Sequence, residues 1–211
     1  MASQMPVSIL MYNRLLSYLR YLQGLPPAVS TVSSTVIGAA LEVNDVQVRK
    51  DLAAVSSGGK PKIGYVTADL IADMTHFLGY DDNTDAALAG AGNLGRALLT
   101  YKNFKDYGLN IITAFDKDPS LIGTKHGDVQ IRDIAKASGL CKRLNIHIGI
   151  ITTPAECAQE ICDIFVEGGA RAVWNFAPVN LKAPETVVIR NEDIAASLAV
   201  LLRRLTANFN A

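Results

Sequence analysis

The sequence predicts an α/β fold: a small N-terminal helical unit, then a doubly wound parallel sheet, then a closing helix. Three observations predict it. Residues 85–116 read as strand, glycine turn, helix, strand and acid, a complete βαβ unit. Residues 33–55 read as two short helices around a three-residue turn. Residues 193–205 carry Ile194, Leu198, Leu201, Leu202 and Leu205 on one helical stripe.

Composition bounds the rest. A chain of 211 residues that is 49% hydrophobic can bury a sizeable core in one or two domains. With 20 basic and 20 acidic residues, net charge argues for neither nucleic acid nor membrane. The first residues lack a basic stretch followed by an apolar core, and no run of 18 apolar residues occurs, so neither a leader nor a membrane span is expected. Cys141, Cys157 and Cys162 lack zinc spacing, and their odd count fits a reducing cytoplasm. Cys157 and Cys162 fall in an apolar helical stretch and read as core thiols. No metal site and no internal repeat is expected.

Taken in order, residues 7–23 form a helix on Leu15, Leu16, Leu19 and Leu22, ended by Gly24 and Pro26-Pro27. A second helix spans 33–41 with a serine or threonine cap, Glu42-Val43 turns the chain, and Asn44 caps a third helix over 45–55. This is a helix-turn-helix pattern whose second helix is polar and basic. Residues 56–65 form a loop or β-wing, and Thr67 caps a fourth helix to residue 78. The polar stretch 79–84 is the domain boundary, which gives a winged helix-turn-helix domain over 1–82. The positive charge there is local, on Arg49, Lys50, Lys60 and Lys62. A local patch suffices for phosphate contacts, while a solvated helix face is the bland alternative. Gln47 and Arg49 are the types that read adenine and guanine edges. Gln47, Arg49 and Lys50 are therefore the candidate contacts to double-stranded DNA, with Lys60 and Lys62 in support.

The second domain, over 83–191, opens with an apolar strand at 86–89 that runs into Gly90-Ala91-Gly92-Asn93-Leu94-Gly95. Gly90 permits the tight turn. Gly92 lets backbone approach a pyrophosphate, and Gly95 lets the helix pack on the strand. Free amides near Asn93 and Leu94 face the phosphates at a positive helix end. The helix is expected from 93 to about 107, and a strand over 109–115 ends in Asp116. That acid stands 21 residues after Gly95, where it accepts from both hydroxyls of an adenosine ribose and repels a 2′-phosphate. NADH and NAD⁺ are thus expected ligands in preference to NADPH, with Ala91 and Lys117 beside the same groups. The alternative is a glycine-rich turn that binds nothing. A connection over 119–126, a short strand at 129–131 and a helix from about 133 follow. A buried strand in 145–154 ends at Thr152, Thr153 and Pro154, placed for the nicotinamide side. Residues 155–167 form a helix, 170–178 and 186–189 further strands, and 193–205 the last helix of a segment over 192–211.

With these pieces in place the chain resembles the Rex family of bacterial redox-sensing repressors. The resemblance is carried by Tyr18-Leu-Arg-Tyr-Leu22, Val46-Gln-Val-Arg-Lys-Asp-Leu52, Gly64-Tyr65, Gly90-Ala-Gly-Asn-Leu-Gly-Arg-Ala-Leu98, Ala114-Phe-Asp116, Thr153-Pro-Ala155 and Asn175-Phe-Ala-Pro178. It implies a homodimeric repressor that senses NADH against NAD⁺ and binds an inverted-repeat operator. It also implies a winged helix, a Rossmann domain and a C-terminal helix exchanged between protomers. Tyr101 matches the family's tyrosine on the first Rossmann helix, associated with the redox response, and Asp193 is placed near the nicotinamide region. The sequence departs from the family at 53–59, where a tyrosine and Phe-Gly are usual, at Lys50, where arginine is common, and at Ile194, where some members have phenylalanine.

Two other readings compete with this one. An NAD-dependent oxidoreductase needs a substrate pocket and usually a positioned acid or base. Here the two domains account for the chain, and His76, His126 and His147 form no catalytic constellation. No catalytic residue is therefore expected. A module for coenzyme A or another nucleotide on the same fold is opposed by Asp116, which would repel a 3′-phosphorylated ribose.

Overall fold

The computed structural model describes residues 8–209 and divides after Asp82 into two compact units. In the first, α1 (Ile9–Gln23) begins where Ser8 Oγ accepts from the Met11 amide at 3.2 Å. It buries Leu15, Tyr18, Leu19 and Leu22, the face its i, i+3, i+4 spacing lays on one side. Next come β1 (Thr31–Val32), α2 (Ser34–Leu41) capped by Ser33, and α3 (Asp45–Val55), where Asn44 Oδ1 accepts from the Val46 amide at 2.9 Å. The α2–α3 turn passes through Glu42 in the left-handed region at φ 54. The wing is β1 paired antiparallel with β2 (Tyr65–Val66), its tip closed by a Lys60–Gly64 bridge. One core of Leu15, Tyr18, Ile37, Val48, Leu52, Leu70 and Met74 joins the helices.

The α4 helix (Thr67–Phe77) corrects one expectation. Thr67 is its first residue rather than its cap, and the Thr67 hydroxyl is buried with no partner among the described residues.

The second unit is built on a seven-stranded sheet. Its strands are β3 (Thr84–Ala89), β4 (Leu109–Asp116), β5 (Lys125–His126), β6 (Val129–Asp133), β7 (Ile148–Ile151), β8 (Ala172–Asn175) and β9 (Val188–Asn191). They lie in the order β5-β6-β4-β3-β7-β8-β9, all parallel except the β5–β6 pair. The chain starts at the centre, winds to one side through β4 and β6, then crosses back beside β3 to β7. That reversal opens a crevice at the C-terminal ends of β3 and β7. β3 is apolar throughout its second half because both its faces are covered. Ala87 and Ala89 face α6 (Ala137–Arg143) and α7 (Ala155–Glu167), while Ala86 and Leu88 face the side of α5 (Asn93–Leu99).

The helix expected over 93–107 is in fact two pieces. α5 ends at Leu99, and a separate 3₁₀ turn, Lys102–Tyr107, follows. Thr100 turns its hydroxyl back on the Arg96 and Ala97 carbonyls, at 3.2 and 3.3 Å, where the helix stops. The last helix, α8 (Ile194–Phe209), starts where Asp193 Oδ1 accepts from the Ala196 amide at 2.8 Å. Its stripe is not packed: Ile194, Leu198, Leu201, Leu202 and Leu205 are 49 to 64% exposed.

Candidate functional site

The crevice holds a cavity of about 330 Å³. Gly90, Gly92, Asp116, Lys117, Thr152, Thr153 and Pro154 all line it, so residues far apart in sequence meet there. The turn after β3 is made by three glycines with three different needs. Gly90 sits at φ 98, and a Cβ there would lie 2.8 Å from the Thr152 backbone. At Gly95 a Cβ would collide with the Gly90 carbonyl oxygen, so α5 crosses its own strand end as closely as backbone allows. Gly92 differs, since a Cβ there would meet no atom within 4 Å and would project into open space. Thr152 locks the turn from β7, its hydroxyl donating to the Gly90 carbonyl at 2.7 Å. Ala91 is buried, Asn93 and Leu94 open α5, and the first-turn amides of that helix have no intrahelical acceptor.

Asp116 ends β4 at the same edge. Its Oδ2 accepts from the Ala91 amide at 2.6 Å and its Oδ1 from the Asp118 amide at 2.9 Å. The carboxylate is thus held in place against the glycine turn. Beyond it lies an apolar slot of Ile134, Ile161 and Ile164, with Cys157 and Glu160 at its side. This slot was not anticipated from sequence, and its signal is the spacing 157, 161, 164 on one face of α7. Cys157 is therefore not the core thiol expected. It is half-buried at the cavity, with the Lys117 ammonium 4.0 Å from its sulfur. Cys141 and Cys162 are core thiols, and burial pushes Cys141 up to about 11.

The cavity fits a dinucleotide on its own geometry. It offers an open space above Gly92, a fixed carboxylate, an apolar slot, and a Thr153 hydroxyl buried without a partner among the described residues. Tyr101 lies just past the end of α5 rather than on it. It is 51% exposed and packs edge-on against Phe104 at 4.8 Å. Phe104 in turn meets Trp174, whose indole donates to Glu192 at 3.1 Å, one residue before Asp193. Tyr101 and Asp193 share no hydrogen bond among the described residues.

In the first unit, α3 exposes Arg49 and Lys50, and Lys60 and Lys62 are exposed on the wing. Gln47 is half-buried because its amide donates to Asp51 Oδ1 at 2.8 Å. Asp51 itself is 3% exposed and receives a two-pronged bond from Arg14 at 2.7 and 2.9 Å and a third donor, the Tyr18 hydroxyl, at 3.1 Å. Burial alone would raise the Asp51 pKa, but the hydrogen bonds from Arg14, Gln47 and Tyr18 overcome it and hold the carboxyl below its ordinary value. Burial and the neighbouring carboxylate push the Tyr18 phenol up to about 12. This network was not read from the sequence. Its trace there is an acid four residues after Gln47, on the same face of a helix. Among the described residues no cluster of ligands suits a metal ion, and no helix is long and apolar enough to cross a membrane.

Comparison with known proteins places both units. Residues 7–53 match the family described as "Putative DNA-binding protein N-terminus", and residues 81–179 match the family described as "CoA binding domain". The redox-sensing transcriptional repressor Rex of Desulforamulus reducens is 41% identical over 190 residues, covering 90% of each chain. The crystal structure of RSP with β-NAD⁺ and operator DNA is similar at a TM-score of 0.91 and 34% identity, covering 97% of this chain and 94% of that one. RSP with β-NADH is similar at a TM-score of 0.85, again at 34% identity, covering 97% and 96%.

Proposed function

The chain belongs to the Rex family of redox-sensing transcriptional repressors, and we propose that it binds an inverted-repeat operator as a homodimer and leaves it when NADH binds. The observation that carries this reading is the joining, in one chain, of a helix-turn-helix with exposed Arg49 and Lys50 to a cavity bearing the glycine turn and Asp116. RSP, solved with operator DNA and β-NAD⁺ and also with β-NADH, supports the same pairing of ligands. Residues 1–82 are the DNA-binding domain, 83–191 the NAD(H)-binding domain, and 192–211 the dimerisation segment. The chain acts as a regulator rather than an enzyme, in the cytoplasm, where its DNA is.

Each candidate residue takes one role. Gly90, Ala91, Gly92, Asn93, Leu94 and Gly95 cradle the pyrophosphate, and Asp116 accepts the ribose hydroxyls, with Lys117 beside the adenine. Thr152, Thr153 and Pro154 face the nicotinamide side. The bound dinucleotide supplies a ring that is cationic when oxidised and neutral when reduced. The neutral ring tolerates a drier site, so closure around it favours the reduced form. Tyr101 and Asp193 exchange partners between the two arrangements, and α8, its apolar stripe bare in this chain, is covered by the second copy.

A ligand moves this equilibrium only through differential affinity for the two states. Passing from mostly bound to mostly free needs about 5.5 kcal/mol. The test is NADH titrated into the protein–operator complex at fixed NAD⁺. Dissociation is expected to follow the ratio of the two. An intact complex at saturating NADH, or equal release by NAD⁺, would refute the redox-sensing reading.

A coenzyme A reading has one observation in its favour, the family description matched by residues 81–179. Asp116 opposes it, because a 3′-phosphorylated ribose would meet a fixed carboxylate. Thermal stabilisation by NADH and none by coenzyme A is the expected result, and the reverse would favour coenzyme A.

A further inference from the structure

We propose that Asp51 is a positioning residue for operator recognition: tied to α1 by Arg14 and Tyr18, it fixes the Gln47 carboxamide so that Gln47 reads an adenine. The inference rests on the reading of α3 as the operator-contacting helix.

A glutamine on a helix surface can present its oxygen or its nitrogen to a partner, by a half-turn of the amide. Here the choice is made in advance. An ionised carboxylate only accepts, so the Gln47 nitrogen must face Asp51 Oδ1, which it does at 2.8 Å. The carboxylate cannot swing away, because Arg14 grips both its oxygens, at 2.7 and 2.9 Å, and the Tyr18 hydroxyl donates to Oδ2 at 3.1 Å. Each oxygen therefore has two donors, and Asp51 is almost wholly buried.

What Gln47 has left is one carbonyl oxygen and one N–H. In the major groove adenine offers a donor at N6 beside an acceptor at N7, which matches that pair. Guanine offers two acceptors and would need both N–H groups, of which one is already used. Asp51 thus selects for adenine by orienting one group and occupying another. A side chain ordered before binding also loses less freedom on binding. The purely structural alternative is that the Arg14–Asp51 ion pair ties α3 to α1 and leaves base choice to Gln47 alone.

The experiment starts from an operator selected by the full-length protein from a random duplex pool. Every base pair of the half-site is then substituted, and dissociation constants are measured for wild type, Gln47→Met, Asp51→Asn and Arg14→Lys. Wild type is expected to lose about tenfold or more in affinity at one A·T pair. Gln47→Met and Asp51→Asn should both bring that loss to within about threefold, while discrimination at the other pairs stays. Arg14→Lys, which keeps the charge but not the two-pronged grip, should shift the same pair in the same direction. A uniform loss across all operators, or wild-type discrimination at that pair in Asp51→Asn, would overturn the proposal. If Asp51→Asn does not fold, the wild-type protein still decides. The Gln47 side-chain amide should show slowed hydrogen exchange by NMR, and a freely exchanging amide overturns the inference. An Arg49→Ala/Lys50→Ala variant separates the two levels of argument. Full affinity in that variant removes α3 from the interface, whereas its loss beside unchanged discrimination in Asp51→Asn refutes only the positioning role.

Discussion

Gly92→Val separates binding from folding more cleanly than any other change in the glycine turn. At φ −70 and ψ −164 the backbone of Gly92 is extended, a region a β-branched residue prefers. A Cβ there meets nothing within 4 Å. Gly92 is also the N-cap of α5, where valine is disfavoured relative to glycine, so the free protein should lose no more than about 1 kcal/mol, or about 2–4 °C in melting temperature for a chain of this size. The ligand meets the opposite situation, because the valine methyl groups fill the space a pyrophosphate needs. Losing two charge-assisted bonds of about 1.5–3 kcal/mol each removes about 3–6 kcal/mol, more than about 100-fold in affinity. Calorimetric titration with NADH and a ligand-free melting scan read the two effects separately. Gly95→Ala supplies the contrast: its Cβ collides with the Gly90 carbonyl oxygen, and overpacking of about 1–3 kcal/mol should lower the melting temperature itself. The reasoning is refuted if Gly92→Val binds NADH within about tenfold of wild type. It is equally refuted if the variant's ligand-free melting temperature falls by more than about 4 °C.

Asp116→Ala should weaken NADH binding, at about 1.5–3 kcal/mol per lost ribose bond, and narrow the preference over NADPH; equal affinity of the wild-type protein for both would remove the assignment. Arg49→Ala/Lys50→Ala should weaken operator binding and reduce the slope of log affinity against log salt by roughly 2 per protomer, or roughly 4 for a dimer on two half-sites, read by filter binding across a salt series. The Asp51 carboxyl has a folded pKa below its unfolded value of 3.8, so its contribution is fully present above that value and is lost as pH falls through the folded one. Asp51→Asn should therefore flatten the acid limb of a stability-against-pH curve, and an unchanged limb would show that the network adds no pH dependence. Truncation after Asn191 should give monomer or aggregate with loss of operator binding, and a truncated chain that sediments as a clean dimer would show that α8 is not the dimer element.

Most of the sheet was legible because its strands are short apolar runs between glycine, proline and polar turns, and the 155–167 helix was recovered to the residue; the two-residue edge strand β5, Lys125–His126, carries no such run and fell in the stretch read as a connection. What stayed hidden was where one helix stops and another begins. Leu98, Leu99 and Phe104 continue an apolar pattern across Thr100 and Tyr101, so spacing alone extends the helix to 107. The break is made by the Thr100 hydroxyl turning back on the Arg96 and Ala97 carbonyls, a local competition that periodicity does not register. Thr67 failed for a related reason. Threonine is a frequent cap, but here the chain enters α4 straight from β2, and Val66 occupies the cap position.

The candidate site divides along the same line. Gly90 and Gly95 were readable because the strand-to-helix turn leaves no room for a Cβ at either, while Gly92 and Asp116 were readable only from their fixed places in the strand–turn–helix–strand pattern. Thr152 to Pro154 were readable from their place at the end of a buried strand. The apolar slot of Ile134, Ile161 and Ile164 was not, because isoleucines at helical spacing look the same whether they face a core or a ligand. Asp51 was hidden more deeply. In sequence it is one more charge on a polar helix. Its partners Arg14 and Tyr18 lie 37 and 33 residues away. A buried charge must be paired to be tolerated, and only the fold shows that the pairing also immobilises Gln47. The orientation of the Gln47 amide thus depends on α1, the helix that supplies both Arg14 and Tyr18.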